Sequence, residues 1–182
     1  MFSSKVLGHS VKDVIARVHV GIQNRIPIAQ LTTIVSNEPD FRYAQPEDLF
    51  EYMVTCARLR KLVKRVNHIK AIKNRANEAV EFIDCSKLNF SKLPQFLWAC
   101  ATIEVRPLLI ENFTDGIIEQ GLSCKDMVKT IWALSKLISD DNDPLRKDFQ
   151  KLTEKITHLN SFEFSNEDLV ALARAIAVIY SR

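Results

Sequence analysis

The chain has four histidines, His9, His19, His68 and His158, and four cysteines, Cys56, Cys85, Cys100 and Cys124. Neither set builds a metal site from sequence neighbours, because no CxxC pair and no HExxH helix occurs, and zinc sites draw on such close pairs. GxSxG, GxxxxGK[ST] and GxGxxG are missing too, which removes the nucleophile elbow, the phosphate loop and the dinucleotide fingerprint. Acids such as Glu78 and Glu81 stand at helical spacing, as on a solvated helix face, and carry no mark of general acid-base work. Ser139-Asp140-Asp141-Asn142-Asp143 offers oxygen ligands but lacks the twelve-residue calcium-loop pattern and its distal Glu. It reads instead as a loop that caps a helix starting at Pro144. The expectation is a protein with no catalytic centre, no metal, no cofactor and no small-molecule substrate.

The chemistry the sequence does offer is charge. Between Glu51 and Glu78 there is no acid, while Arg58, Arg60, Lys61, Lys64, Arg65, Lys70, Lys73 and Arg75 supply eight cations. The whole chain carries +3, so everything outside this segment carries −5, which is 3 less 8. On one continuous helix Leu59, Leu62, Val63, Val66 and Ile69 share a side, and Arg60, Lys61, Lys64 and Arg75 share the other. Lys70 and Lys73 drift into the apolar stripe, which predicts a bend or break near Asn67-His68. Burying the apolar side offers the cations to RNA phosphates, which bind such faces by releasing counterions, with strong salt dependence and no sequence information. A plain solvated face and an acidic protein partner are the alternatives. Tyr43 and Tyr52 stand near enough to stack on bases, whereas Trp98 and Trp132 sit inside apolar helices and are expected in the core.

These residues need a scaffold, and the scaffold is written as a repeat. LNFSKLPQFLWACATI (88–103) and LSCKDMVKTIWALSKL (122–137) align on Trp98 and Trp132, with Ala99 against Ala133. SNEDLVALARAIAVI (165–179), QPEDLFEYMVTCARL (45–59) and SVKDVIARVHVGI (10–22) join in the same register. The anchor positions Val20, Thr55, Ala99, Ala133 and Ala175 lie 35, 44, 34 and 42 residues apart. Such periods belong to stacked helical pairs. Each copy opens like a helix, with a polar cap and, in all but 88–103, an acid in the first turn, and its small anchor residue is where a neighbouring helix can approach closely. A second helix is expected between copies, from Ile26-Pro27 to Ser36, Ile69 to Asp84, Arg106-Pro107 to Gln120, and Asp143-Pro144 to Leu159. Pro27, Pro107 and Pro144 then take first-turn positions, Gly121 stops its helix, and Leu145, Phe149, Leu152, Ile156 and Leu159 form a stripe for burial.

The Ser-x-x-Asp opening and the central Trp-Ala-Leu, carried by Ser123, Asp126, Trp132, Ala133, Leu134 and Leu137 and again by Ser165, Asp168, Leu169, Ala175 and Ile179, resemble organellar helical-repeat proteins. These are the octotricopeptide and heptatricopeptide repeats of mitochondrial RNA-binding proteins, here without the RAP segment that often ends them. The resemblance implies a mitochondrial matrix protein held in a large ribonucleoprotein, the mitochondrial ribosome foremost, with ribosomal or other organellar RNA and neighbouring protein subunits as partners. A helical scaffold subunit of a respiratory complex or ATP synthase is the alternative.

Composition agrees with a helical scaffold. Only four glycines occur in 182 residues, and 47% of residues are hydrophobic against 26% charged. That is the balance of an ordinary globular chain. No apolar run reaches the roughly 18–20 residues that span a bilayer, so an integral membrane protein is not expected. The dispersed cysteines read as small core residues of a reducing compartment. The expected fold is all-α, a single domain over residues 1–182 built as an α-solenoid-like stack of antiparallel helical pairs with about 8–10 helices. Residues 1–25 carry Lys5, Lys12, Arg17 and Arg25 against Asp13 alone, and read either as a mitochondrial targeting segment or as the first repeat helix.

Overall fold

A computed structural model describes residues 10–37, 39–108, 113–159 and 164–181. Among them all regular structure is helical: α1 Val11–Gln23, α2 Ile28–Asn37, α3 Pro46–Leu62, α4 Val66–Glu81, α5 Leu93–Ile103, α6 Phe113–Glu119, α7 Cys124–Leu137, α8 Leu145–Thr157 and α9 Asn166–Tyr180, with 3-10 turns at Cys85–Lys87 and Phe90–Lys92. The chain divides into two compact units, Met1–Ile83 and Asp84–Arg182. In the first, α1 packs on α3 and α2 on α4; in the second, α5 packs on α7, α7 on α9, and α6 on α8. Odd-numbered helices thus meet odd-numbered ones and even meet even, while α1 with α2, α3 with α4 and α7 with α8 form pairs.

The expected cap positions fall at helix starts. Ser10, Gln45, Asn89, Ser123 and Ser165 each cap the start of a copy, Asn89 through the 3-10 turn that leads into α5. Each cap lies ten residues before its anchor. The Ser10, Ser123 and Ser165 hydroxyls accept from the amides of Asp13, Asp126 and Asp168 at 3.2, 3.2 and 3.1 Å. At Ser165 the box is complete, since Asp168 Oδ2 also accepts from the Ser165 amide. These bonds satisfy amide donors that a helix start otherwise leaves open.

Four anchors behave as small contact residues: Thr55, Ala99, Ala133 and Ala175 are all buried. Val20 does not, being 52% exposed. The buried face of α1 runs through Val11, Val14, Ile15, Val18 and Gly21, so the small residue of this copy is Gly21, one position later. A Cβ there would lie 2.4 Å from Leu31 Cδ2, so the leucine side chain would have to move aside.

The second helices match in part. α8 buries Leu145, Phe149, Leu152 and Ile156 as one stripe, each side chain contributing about 1.5–3 kcal/mol of transfer free energy before the entropy of ordering it. Gly121 follows α6 with φ +63°, the left-handed turn a non-glycine residue resists. α6 is much shorter than the expected 106–120 span, and Pro107 is buried in the non-helical segment that precedes it rather than in a first turn. The expected start of that helix falls partly on residues 109–112, outside the described ones. Two hydrogen bonds to α8 hold α6 instead, Thr114 Oγ1 to Asp148 at 2.7 Å and Lys151 Nζ to Asp115 at 3.1 Å.

Candidate nucleic-acid interface

The cationic segment is a corner between two helices, not one helix. α3 closes at Leu62, Val63 is extended (φ −86°, ψ 129°), and Arg65, also extended, begins α4. The break therefore comes earlier than Asn67-His68. It also resets the helical phase, so the expected apolar side does not hold: Leu59 and Val63 are buried, Ile69 is half-buried, and Leu62 and Val66 are 47% and 74% exposed. Val63 serves as the plug that turns the chain.

The structure sorts the eight cations into three groups. Arg58, Lys61, Lys64, Arg65 and Lys70 are exposed around the corner. Arg60 and Lys73 are half-buried, and Arg60 Nε is buried with no hydrogen bond among the described residues. Arg60 and Lys61 also complement the negative end of α3.

Arg75 turns inward. Its guanidinium sits 4.4 Å from the Phe41 ring centre and donates to the Pro39 carbonyl and to Glu78. Phe41 in turn meets Tyr52 edge-on at 5.1 Å, and the Tyr52 hydroxyl donates to the Val35 carbonyl at 2.8 Å. One cation of the run thus serves as a structural lock that joins α4, the 39–41 segment, α3 and α2.

The aromatic residues separate likewise. Tyr43 is 83% exposed, with Arg42 5.8 Å from its ring centre. Tyr52 is fully buried and has no face for a base. Trp98 and Trp132, expected in the core, are only half-buried. Trp132 walls an open groove of about 420 Å³ whose other residues come from α9: Asn166, Glu167, Val170, Ala171 and Arg174. Sequence alone marked Trp132 but not its partners, because their proximity depends on α7 packing against α9.

The acidic loop after α7 is a cap and a clamp. Asp143 accepts from Arg106 Nη1 and Nη2, both at 2.7 Å, from the Ser139 amide at 2.8 Å and from the Leu145 amide at 3.0 Å. Burial alone would raise the Asp143 carboxyl, but these hydrogen bonds outweigh it and hold the group far below the usual carboxylate range. Burial pushes the Cys56 thiol up to about 12 and the Cys85 thiol to about 11, so neither supplies a thiolate nucleophile at neutral pH. All four cysteines are free thiols. Among the described residues no three His, Cys, Asp or Glu side chains gather as a metal site, and no helix is long and apolar enough to cross a membrane.

Compared with known protein families, curated proteins and solved structures, the chain matches none.

Proposed function

We propose that this chain is a non-catalytic, α-solenoid-like repeat subunit of a mitochondrial ribonucleoprotein, the mitochondrial ribosome in particular, and that its α3–α4 corner binds RNA phosphates. The observation that carries the RNA contact is the exposure of Arg58, Lys61, Lys64, Arg65 and Lys70 around one turn, in a stretch without an acid from residue 52 to 77. The solenoid reading draws on the packing of odd helices on odd and even on even. The mitochondrial assignment draws on the repeat resemblance carried by Ser123, Asp126, Trp132 and their counterparts.

Reversal of Arg58, Lys64, Arg65 and Lys70 to Glu tests the contact. All four are exposed, so the variant keeps its helical circular dichroism. Its affinity for single-stranded RNA falls at least tenfold, and the slope of log affinity against log salt flattens by about 3, since each phosphate contact contributes roughly 0.7. Unchanged affinity and slope would sink the reading. For the native protein, sedimentation from detergent-solubilised mitochondria should follow ribosomal RNA and collapse on ribonuclease treatment or magnesium chelation.

A second reading has its own observation. Leu62 and Val66 are exposed amid the cations, and phosphates have no use for apolar side chains. That combination suits an acidic amphipathic helix of a neighbouring subunit, as in a scaffold role within a respiratory complex or ATP synthase. Migration with a nuclease-resistant complex, lost on Leu62→Ser with Val66→Ser, would favour it.

A further inference from the structure

The groove at Trp132 is open between α7 and α9. Its neighbours Ile131, Ala133 and Leu134 are buried, while Trp132 stays half-open and Val170 opposite is 50% exposed. The capping of α9 is done by Ser165 and Asp168, which leaves Asn166 and Glu167 of its first turn uncommitted to the cap. Among the described residues neither Glu167 nor Arg174 forms an ion pair. At about 420 Å³ the groove lies within the size range of small-ligand sites.

Its lining has a definite chemistry. The Trp132 indole and the Arg174 guanidinium are planes on which a flat ring stacks. The two carboxylate oxygens of Glu167 only accept, and the Asn166 carboxamide supplies both a donor and an acceptor. Guanine is the nucleobase with two adjacent N–H donors on its Watson–Crick edge, N1–H and N2–H, with the O6 acceptor beside them. Adenine and cytosine set an acceptor next to their amino group, and uracil flanks its single N–H with carbonyls.

We propose that this groove binds the guanine base of single-stranded RNA, stacked on Trp132 and Arg174, with N1–H and N2–H donated to Glu167 and O6 accepting from Asn166. The inference rests on the RNA reading above and adds to it a preference that a phosphate-binding corner alone cannot have. Free guanine nucleotide shares the chemistry, and the test separates the two sources.

The experiment compares a short oligouridylate with the same oligomer carrying one central guanosine, and titrates GMP and AMP alongside, on the full chain and on Glu167→Gln and Trp132→Leu. The expected result is roughly tenfold to hundredfold tighter binding of the guanosine oligomer. Glu167→Gln, exposed and isosteric, abolishes that preference while keeping the salt-dependent affinity for oligouridylate. Trp132→Leu does the same, and GMP quenches tryptophan fluorescence in the wild type but not in this variant, which retains Trp98. Equal binding of the two oligomers with salt-dependent affinity intact would overturn the groove assignment alone. Quenching by GMP with no affinity for either oligomer would overturn both the RNA source and the ribonucleoprotein reading, and assign the groove to a free guanine nucleotide. A guanosine preference that survives Glu167→Gln would also overturn it.

Discussion

Arg75 and Arg106 do the same task in the two units by different physics. Each reaches from one part of the chain to a connecting segment 36 or 37 residues away. Arg75 lies over an aromatic ring and bonds a neutral carbonyl, so most of its partners carry no titratable charge. Arg106 makes a two-pronged bond to a carboxylate whose side chain is fully buried. The first lock draws on ring packing and a cation-π contact, the second on charge-assisted hydrogen bonds. The first unit should therefore be held by shape over the whole pH range, and the second should loosen in acid.

The largest expected effect breaks the aromatic lock. Phe41 is buried, touches Tyr52 and Phe82, and carries the Arg75 guanidinium. Phe41→Ala should cost about 3–5 kcal/mol, read by chemical denaturation and by lost amide-exchange protection in α2, α3 and α4. A loss below about 1 kcal/mol would mean that the ring is incidental.

Next comes the ionic clamp. Asp143→Asn keeps the shape but removes the charge that receives Arg106 and the two amides, and should cost about 2–3 kcal/mol at neutral pH. Because the folded carboxyl titrates below its unfolded value, its contribution is fully present above the ordinary aspartate range. It is lost as pH falls through about 3.9 and below. The stability gap between wild type and variant should therefore shrink in acid. A gap of constant size from pH 6 to pH 2 would show that the carboxylate charge is not what matters.

The sequence carried the local half of this picture. Caps are legible because a serine hydroxyl accepts from the amide of the aspartate three residues on whatever lies elsewhere, and so Ser10, Ser123 and Ser165 mark true helix starts. The α8 stripe is legible because its period is the helix's own. The corner at 63–65 is not, since Leu62-Val63-Lys64-Arg65-Val66 contains neither Gly nor Pro and the break follows from burying Val63 against the fold. Arg75 could be paired with Glu78 by spacing, but its burial over Phe41 depends on distant packing. The anchor shift from Val20 to Gly21 has the same origin: Gly21 is the residue of α1 that lies against Leu31 of α2. The helical character was readable in the sequence, and the groove between α7 and α9 was not, because no spacing within either helix brings Trp132 to Glu167.

The smallest effect sharpens the contrast most. Val35 lies near the end of α2, and the residue four positions on, which would donate to its carbonyl in a continuing helix, is Pro39 and has no N–H. The Tyr52 hydroxyl takes that place at 2.8 Å. Tyr52→Phe keeps the ring against Phe41 and deletes only the donor, leaving a buried carbonyl without this partner, at a cost of about 1–2 kcal/mol. Burial holds the Tyr52 hydroxyl protonated well above its usual range, so this cost should stay level from pH 6 down to pH 3, while the Asp143→Asn cost declines over the same interval. Parallel decline of the two would mean that the first unit's lock also depends on charge, through Arg75 and Glu78, and the distinction between a lock of shape and a lock of charge would fall.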